Sequence, residues 1–197
     1  ADSTTFTLIV NPVNDAPTLA DLVDASIDED GSYELELSGS DIDEDILEFS
    51  ASTDGNGYAS VDGSTLTVTP DLDYNGNITI LVNVEDSGGL SDSGSFILTI
   101  NPTNDAPVIG LIDNQAIDED TSLVMPLFAT DIDGDLLEFS ASSDGNSNVS
   151  VEGTTLTVSP YENFNGSIEV TVNVDDGLAV DSTTFTLIIN PVNDAPI

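Results

Sequence analysis

The sequence predicts an all-β chain of tandem seven-stranded Greek-key β-sandwiches arranged end to end. Three observations carry this. NPVNDAP at 11–17 recurs as NPTNDAP at 101–107 and NPVNDAP at 190–196, the copies 90 and 89 residues apart, which marks a repeated unit. Between the copies lie short runs rich in β-branched and aromatic residues, separated by clusters of Gly, Asn, Asp and Pro. No stretch sustains a helical period.

The elements follow in order. ADSTTFTLIV at 1–10 matches DSTTFTLII at 181–189 and is expected to be the last strand of a preceding repeat, with 11–17 the linker after it. Repeat 1 is then 18–106 and repeat 2 is 107–196, in a piece of a longer array. Repeat 1 should hold strands near 19–27, 33–38 (YELELS), 46–51 (ILEFSA), 58–61, 64–69 (STLTVT), 78–84 (ITILVNV) and 95–100 (SFILTI). Repeat 2 repeats the scheme with SLVMPLFA (122–129), LLEFSA (136–141), TTLTVS (154–159), IEVTVNV (168–174) and TTFTLII (183–189).

Charge sets the partners. The chain has 38 Asp and Glu and no Lys, Arg or His, a formal charge of −38, so no side-chain cation can neutralise a carboxylate. Nucleic acid and anionic membrane surfaces are thereby excluded as electrostatic partners, and metal cations are the natural complement. A hydrophobic fraction of 39% separates the chain from a disordered acidic tail. Without Cys or His there are no disulfides, soft-metal sites or imidazole catalysis. No run approaches the length of a membrane span. Because no nucleophile–base pair or singular site interrupts the repetition, the chain is not expected to be an enzyme.

Strand parity places the acids. If seven strands alternate up and down, odd-numbered exits share one end of the sandwich: Asp28, Glu29 and Asp30, then Asp71 and Asp73, then the linker Asn101, Asn104 and Asp105. Even-numbered exits share the other: Asp41, Asp43 and Asp45, then Glu85 and Asp86, with Asp131, Asp133, Asp135, Asp175 and Asp176 in repeat 2. Loops of both repeats are thus expected to meet at the linker, with Asn11, Asn14 and Asp15, and Asn190, Asn193 and Asp194, equivalent in the other two copies. So many oxygens suit a hard cation taking about six to eight ligands, and calcium tolerates irregular geometry better than magnesium.

These motifs resemble the cadherin repeat superfamily, an immunoglobulin-like sandwich fold. They are still more similar to cadherin-like repeats of large bacterial surface proteins, including the extender regions of giant calcium-dependent RTX-type adhesins. The resemblance covers both repeats. IDED at 27–30 and 117–120 resembles the family's early motif, implying Glu29 and Glu119 as calcium ligands beside Asp30 and Asp120. DID at 41–43 and 131–133 resembles its DxD loop, implying Asp41, Asp43, Asp131 and Asp133, and NVED and NVDD at 83–86 and 173–176 imply Asp86 and Asp176. Two departures stand out. The linker reads Asn-Asp-Ala-Pro where animal cadherins have Asp-Asn-Ala-Pro, and PDLDYNG (70–76) and PYENFNG (160–166) replace an acidic motif, leaving Asp71, Asp73 and Glu162 as candidates. The implied function is a calcium-rigidified extender, several Ca²⁺ ions locking its joints into a monomeric rod that projects a terminal adhesive domain from a bacterial surface in cell adhesion or biofilm. The alternative is a module that itself binds carbohydrate or a protein on another cell.

Other readings are weaker. DIDEDILE and DIDGDLLE open like an EF-hand loop, but Ile46 and Leu136 stand at the sixth position where Gly is required, and Ser52 and Ser142 at the twelfth in place of Glu. Asp45, Asp135 and Asp54 read as turn residues, and Tyr74 and Phe164 as core packing in place of a sugar platform.

Overall fold

A computed structural model describes residues 1–193. The chain divides into two compact units, one spanning Ala1–Thr103 and the other beginning at Asn104. Residues 1–16 form no strand and are exposed, so the segment expected to be a preceding repeat's last strand pairs with nothing among the described residues. A strand exists only through a ladder partner.

Unit 1 contains β1 (Thr18–Leu19), β2 (Ala25–Asp28), β3 (Tyr33–Glu36), β4 (Gly39–Ser40), β5 (Glu48–Thr53), β6 (Gly57–Asp62), β7 (Thr65–Pro70), β8 (Gly76–Glu85) and β9 (Ser91–Asn101). The order β2-β9-β8-β5 makes one sheet and β3-β7-β6 the other, with β1 and β4 as a short separate pair. This is the predicted all-β sandwich, with the first expected strand broken in two and the second ending at Glu36, before the short β4. The first breaks because it changes sheets: β1 pairs antiparallel with β4, whereas β2 runs parallel to β9, Ala25 opposite Leu98 and Ile27 opposite Ile100. Side chains cover the switch. Asp92 Oδ2 accepts from the Leu19 N–H at 2.9 Å, and Asp24 Oδ1 from the Ile97 N–H at 2.8 Å.

Period-two alternation builds the core. Along β8, Ile78, Ile80, Val82 and Val84 are fully buried while Asn77, Thr79 and Leu81 face out. Ile78, Ile80 and Val82 meet Leu66 and Val68 of β7 and Phe96, Leu98 and Ile100 of β9, with Tyr33 and Tyr74 packed at the margin. The ring of Tyr33 lies 5.9 Å from that of Phe96.

Unit 2 repeats the plan with β10 (Val108–Ile109), β11 (Gln115–Asp118), β12 (Leu123–Pro126), β13 (Ala129–Thr130), β14 (Glu138–Ser143), β15 (Ser147–Glu152), β16 (Thr155–Pro160), β17 (Gly166–Asp175) and β18 (Val180–Asn190). Its sheets are β11-β18-β17-β14 and β12-β16-β15, and β10 pairs with β13. Ile168, Val170, Val172 and Leu187 are fully buried, and Phe164 packs against them as Tyr74 does in unit 1. The 46–51 and 136–141 strands begin two residues later than expected, leaving Ile46 and Leu136 exposed in the acidic loops.

Candidate metal centre

Each unit gathers many of its acids at two poles, and hydrogen bonds show which side chains share one. At the first pole of unit 1, the loop between β4 and β5 coils on Asp41. Asp41 Oδ1 accepts from the Asp43 N–H at 2.7 Å and more weakly from that of Asp45 at 3.4 Å. This draws the carboxylates of Asp41, Asp43 and Asp45 within 4.8 Å of one another. The incoming 11–17 segment docks on the loop, the Asp15 N–H donating to Asp43 Oδ2 at 2.8 Å. Asp86, which opens the β8–β9 turn, is 5% exposed. Its Oδ1 accepts from the Gly88 and Leu90 N–H groups at 2.8 and 2.9 Å, and its Oδ2 from Asn14 Nδ2 at 2.9 Å. Burial pushes the Asp86 carboxyl up, but donation from Leu90, Asn14 and Gly88 outweighs it and holds the group below the ordinary range.

Unit 2 reproduces this pole. Asp131 Oδ1 accepts from the Asp135 N–H at 3.1 Å, Asp133 Oδ2 from the Asp105 N–H at 2.8 Å, and Asp176 Oδ2 from Asn104 Nδ2 at 3.0 Å. The carboxylates of Asp131, Asp133 and Asp135 again lie within 4.8 Å. Asp176 is held below the usual range by the Ala179 N–H, the Asn104 amide and the Leu178 N–H. Asp175, at the end of β17, is exposed and accepts from the Gly177 N–H at 2.7 Å.

One feature recurs in both units. Asp41 Oδ2 and Asp131 Oδ2 are sealed from solvent and meet no hydrogen-bond donor. A buried carboxylate oxygen without a donor is costly, more so beside two further carboxylates in a chain with no side-chain cation. An all-oxygen, anionic donor set with an unpaired inward oxygen fits a hard divalent cation.

The second pole of each unit is organised by a buried glutamate. Glu29 is 5% exposed and its Oε1 accepts from the Thr103 N–H at 2.6 Å. Asp30 Oδ1 accepts from the Asp73 N–H at 3.2 Å, and Asn101 Nδ2 donates to Asp28 at 3.3 Å. In unit 2, Glu119 Oε1 accepts from the Val192 N–H at 2.6 Å, Asp120 from the Asn163 N–H at 2.9 Å, and Asn190 Nδ2 donates to Asp118 at 3.4 Å. Asp30, Asp73, Asp120 and Asn163 all take positive φ, which Asp and Asn tolerate.

The structure thus gathers Asn14, Asp15, Asp41, Asp43 and Asp86 at one pole of unit 1, and Glu29, Asp30, Asp73 and Asn101 at the other. In unit 2 it gathers Asn104, Asp105, Asp131, Asp133 and Asp176, then Glu119, Asp120 and Asn190. Asn11 and Asp71 are exposed and join neither network of side chains. Asn193 is the last described residue, and Asp194 lies outside the described residues. Glu162 sits differently from expectation: Asn163 takes the place of Asp73, so Glu162 matches the exposed Leu72. Asp45 and Asp135, read as turn residues, belong to the carboxylate groups, and their spacing of two from Asp43 and Asp133 was the available signal. Asp54 is a turn residue, accepting from the Thr79 N–H at 3.0 Å.

Residues 14–99 and 104–189 each match the bacterial Ig domain, over most of the chain. The chain belongs to the bacterial Ig domain family. Bacterial Ig domains are typically non-enzymatic and occur in extracellular surface proteins. No helix among the described residues is long and apolar enough to cross a membrane. The chain is 25% identical to Chitinase A of Pseudoalteromonas piscicida over 93% of its own length, but spans only 23% of that protein. Among solved structures, human protocadherin-24 EC1-2 superposes with TM-score 0.58 at 15% identity, over 89% of this chain and 99% of that one. Drosophila N-cadherin EC1-4 does so with TM-score 0.56 at 18% identity, over 91% and 50%. At these identities the likeness is one of fold alone, a β-sandwich in each unit.

Proposed function

We propose that these repeats are calcium-rigidified extenders of a bacterial cell-surface adhesin. The observation that carries this reading is the donor-less, buried oxygen of Asp41 and Asp131, repeated at the same loop position in both bacterial Ig domains. In each repeat the Asp at the head of the acidic loop presents that oxygen, and the next two aspartates of the loop flank it. The preceding linker is already tied to the same loop through the Asp15 and Asp105 N–H groups. Calcium would supply the positive charge that no side chain of this chain can. The residues would converge on it, so that the linker and loop order together, and ion binding that requires the ordered arrangement stabilises it by mass action. Glu29, Asp30, Asp73 and Asn101 are proposed as further ligands, at the other pole of repeat 1. A series of such joints would hold a terminal adhesive domain away from the cell.

The test is small-angle scattering of the two-repeat chain in calcium and in chelator. A stiff, extended particle that becomes flexible on chelation supports the reading, and an unchanged profile contradicts it. A second reading, that the repeats themselves bind carbohydrate within a polysaccharide-acting protein, is favoured by the similarity to Chitinase A across nearly the whole chain.

A further inference from the structure

The two repeats share one fold but differ on one face. Where unit 1 has Thr18, Asp21 and Ser38, unit 2 has Val108, Leu111 and Phe128. Along the outward side of the third strand, Glu34 and Glu36 are replaced by Val124 and Pro126. Every one of these exchanges turns a polar residue apolar and three of them remove a carboxylate. None is buried: Leu111 is 87% exposed, Phe128 71%, and Val108 and Val124 62% each. The exchange of Val23 for Asp113 runs the other way and sets one carboxylate at the rim.

The backbone makes shallow clefts here in both units; those of unit 1 include Thr18, Asp21, Glu36 and Ser38 in their lining, and those of unit 2 put Val108, Leu111, Pro126 and Phe128 at the same positions. Two clefts, of about 290 and 240 Å³, adjoin at Gly110 and Phe128. The first is walled by Val108 and Ala129 with Thr130 at its edge, the second by Leu111 and Met125 with Asp113 and Gln115. Gly110 keeps the floor low, since a Cβ there would stand 3.1 Å from the Phe128 carbonyl oxygen. In unit 1 the cleft matching the first is lined by Thr18, Leu19, Ala20, Ser38, Gly39 and Ser40.

We infer that this face of unit 2 is a docking site for a neutral polysaccharide, with Phe128 as the stacking platform. Charge chooses the occupant. A cationic partner would be drawn to carboxylates, and this face has shed them. A second copy brings another formal charge of −38, and an anionic polymer is repelled in the same way. What remains is an uncharged partner with apolar faces and hydroxyl edges. An exposed aromatic ring meets the C–H face of a sugar, while Thr130, Asp113 and Gln115 offer hydrogen bonds around it. This inference deepens the carbohydrate reading above by naming its site, and it is independent of calcium.

The experiment is retention of the intact two-repeat chain on chitin, on cellulose and on anionic alginate gel, for wild type and the Phe128→Ser variant, which restores the unit 1 residue. Tyr58→Ser, removing an exposed tyrosine of unit 1, is the control. Because Phe128 is exposed, its variant should melt as wild type does. Retention on chitin or cellulose that Phe128→Ser weakens about tenfold, with Tyr58→Ser unchanged and alginate ignored, supports the site. Retention that Phe128→Ser leaves intact overturns this site while sparing the carbohydrate reading, and no retention on either neutral polymer overturns both. Self-association in sedimentation that Phe128→Ser abolishes would make a second copy the occupant, and overturn the inference.

Discussion

Replacing Asp131 with Asn should change the sign of its effect with calcium. In chelator, Asp131 stands within 4.8 Å of the Asp133 and Asp135 carboxylates, and its Oδ2 has no donor. At that distance each like-charge pair costs about 0.9 kcal/mol even with water-like screening, so removing one charge relieves two pairs, about 2 kcal/mol. Salt lowers this figure. The asparagine retains an oxygen to accept from the Asp135 N–H and turns a donor toward the remaining carboxylates. The variant should therefore be more stable than wild type in chelator, by about 1–2 kcal/mol, or roughly 5–10 °C for a domain of this size. With calcium at about a hundred times its dissociation constant, wild type gains about 2.7 kcal/mol that a site lacking this ligand does not, and the order reverses. Scanning calorimetry of the two-repeat chain in chelator and in calcium gives both signs. An Asp131→Asn variant that is less stable in both buffers, by the same amount, would mean that the Asp131 carboxylate neither repels its neighbours nor binds calcium.

Other consequences follow from single contacts. The depressed carboxyls of Asp86 and Asp176 contribute stability that is present above the unfolded value of about 3.9 and lost as pH falls through their folded values. Carboxyl NMR titration in chelator should show both with midpoints below 3.9, and a midpoint at or above it removes the contribution. Gly88→Ala would set a Cβ 2.5 Å from Asn14 Nδ2, pushing Asn14 off Asp86. We expect about 1–3 kcal/mol of destabilisation and weaker calcium binding at that pole, and an unchanged melting curve contradicts it. Ile168→Ala, at a fully buried site of unit 2, should cost about 2–5 kcal/mol and lower only one of two calorimetric transitions.

The sandwich was legible because its strands alternate so regularly. Ile78, Ile80, Val82 and Val84 are inward partners that period two alone identifies, and the same four positions recur as Ile168, Val170, Val172 and Val174. The acids were legible through repetition and strand parity, which placed Asp41 and Asp86 at one pole and Glu29 and Asp73 at the other. What the chain order hides depends on distant partners. The first strand leaves β4 for β9 at residues 20–24, and no local pattern announces a switch made by Asp24 and Asp92 capping groups more than seventy residues away. Asp45 and Asp135 join their neighbours because Asp41 Oδ1 and Asp131 Oδ1 coil the loop, a matter of backbone donors rather than residue type. Asn163, not Glu162, takes the left-handed turn position, which Asn and Asp favour, and its backbone N–H donates to Asp120. The apolar face around Phe128 is visible only when one repeat is laid on the other.

Whether the acidic poles hold a divalent cation is decided by a calcium titration of the melting temperature against potassium chloride at matched ionic strength. A bound cation gives a saturable rise in calcium that potassium chloride does not reproduce and that Asp41→Asn with Asp131→Asn removes. Equal stabilisation by both salts would mean that the carboxylates are merely screened, and would contradict a bound cation.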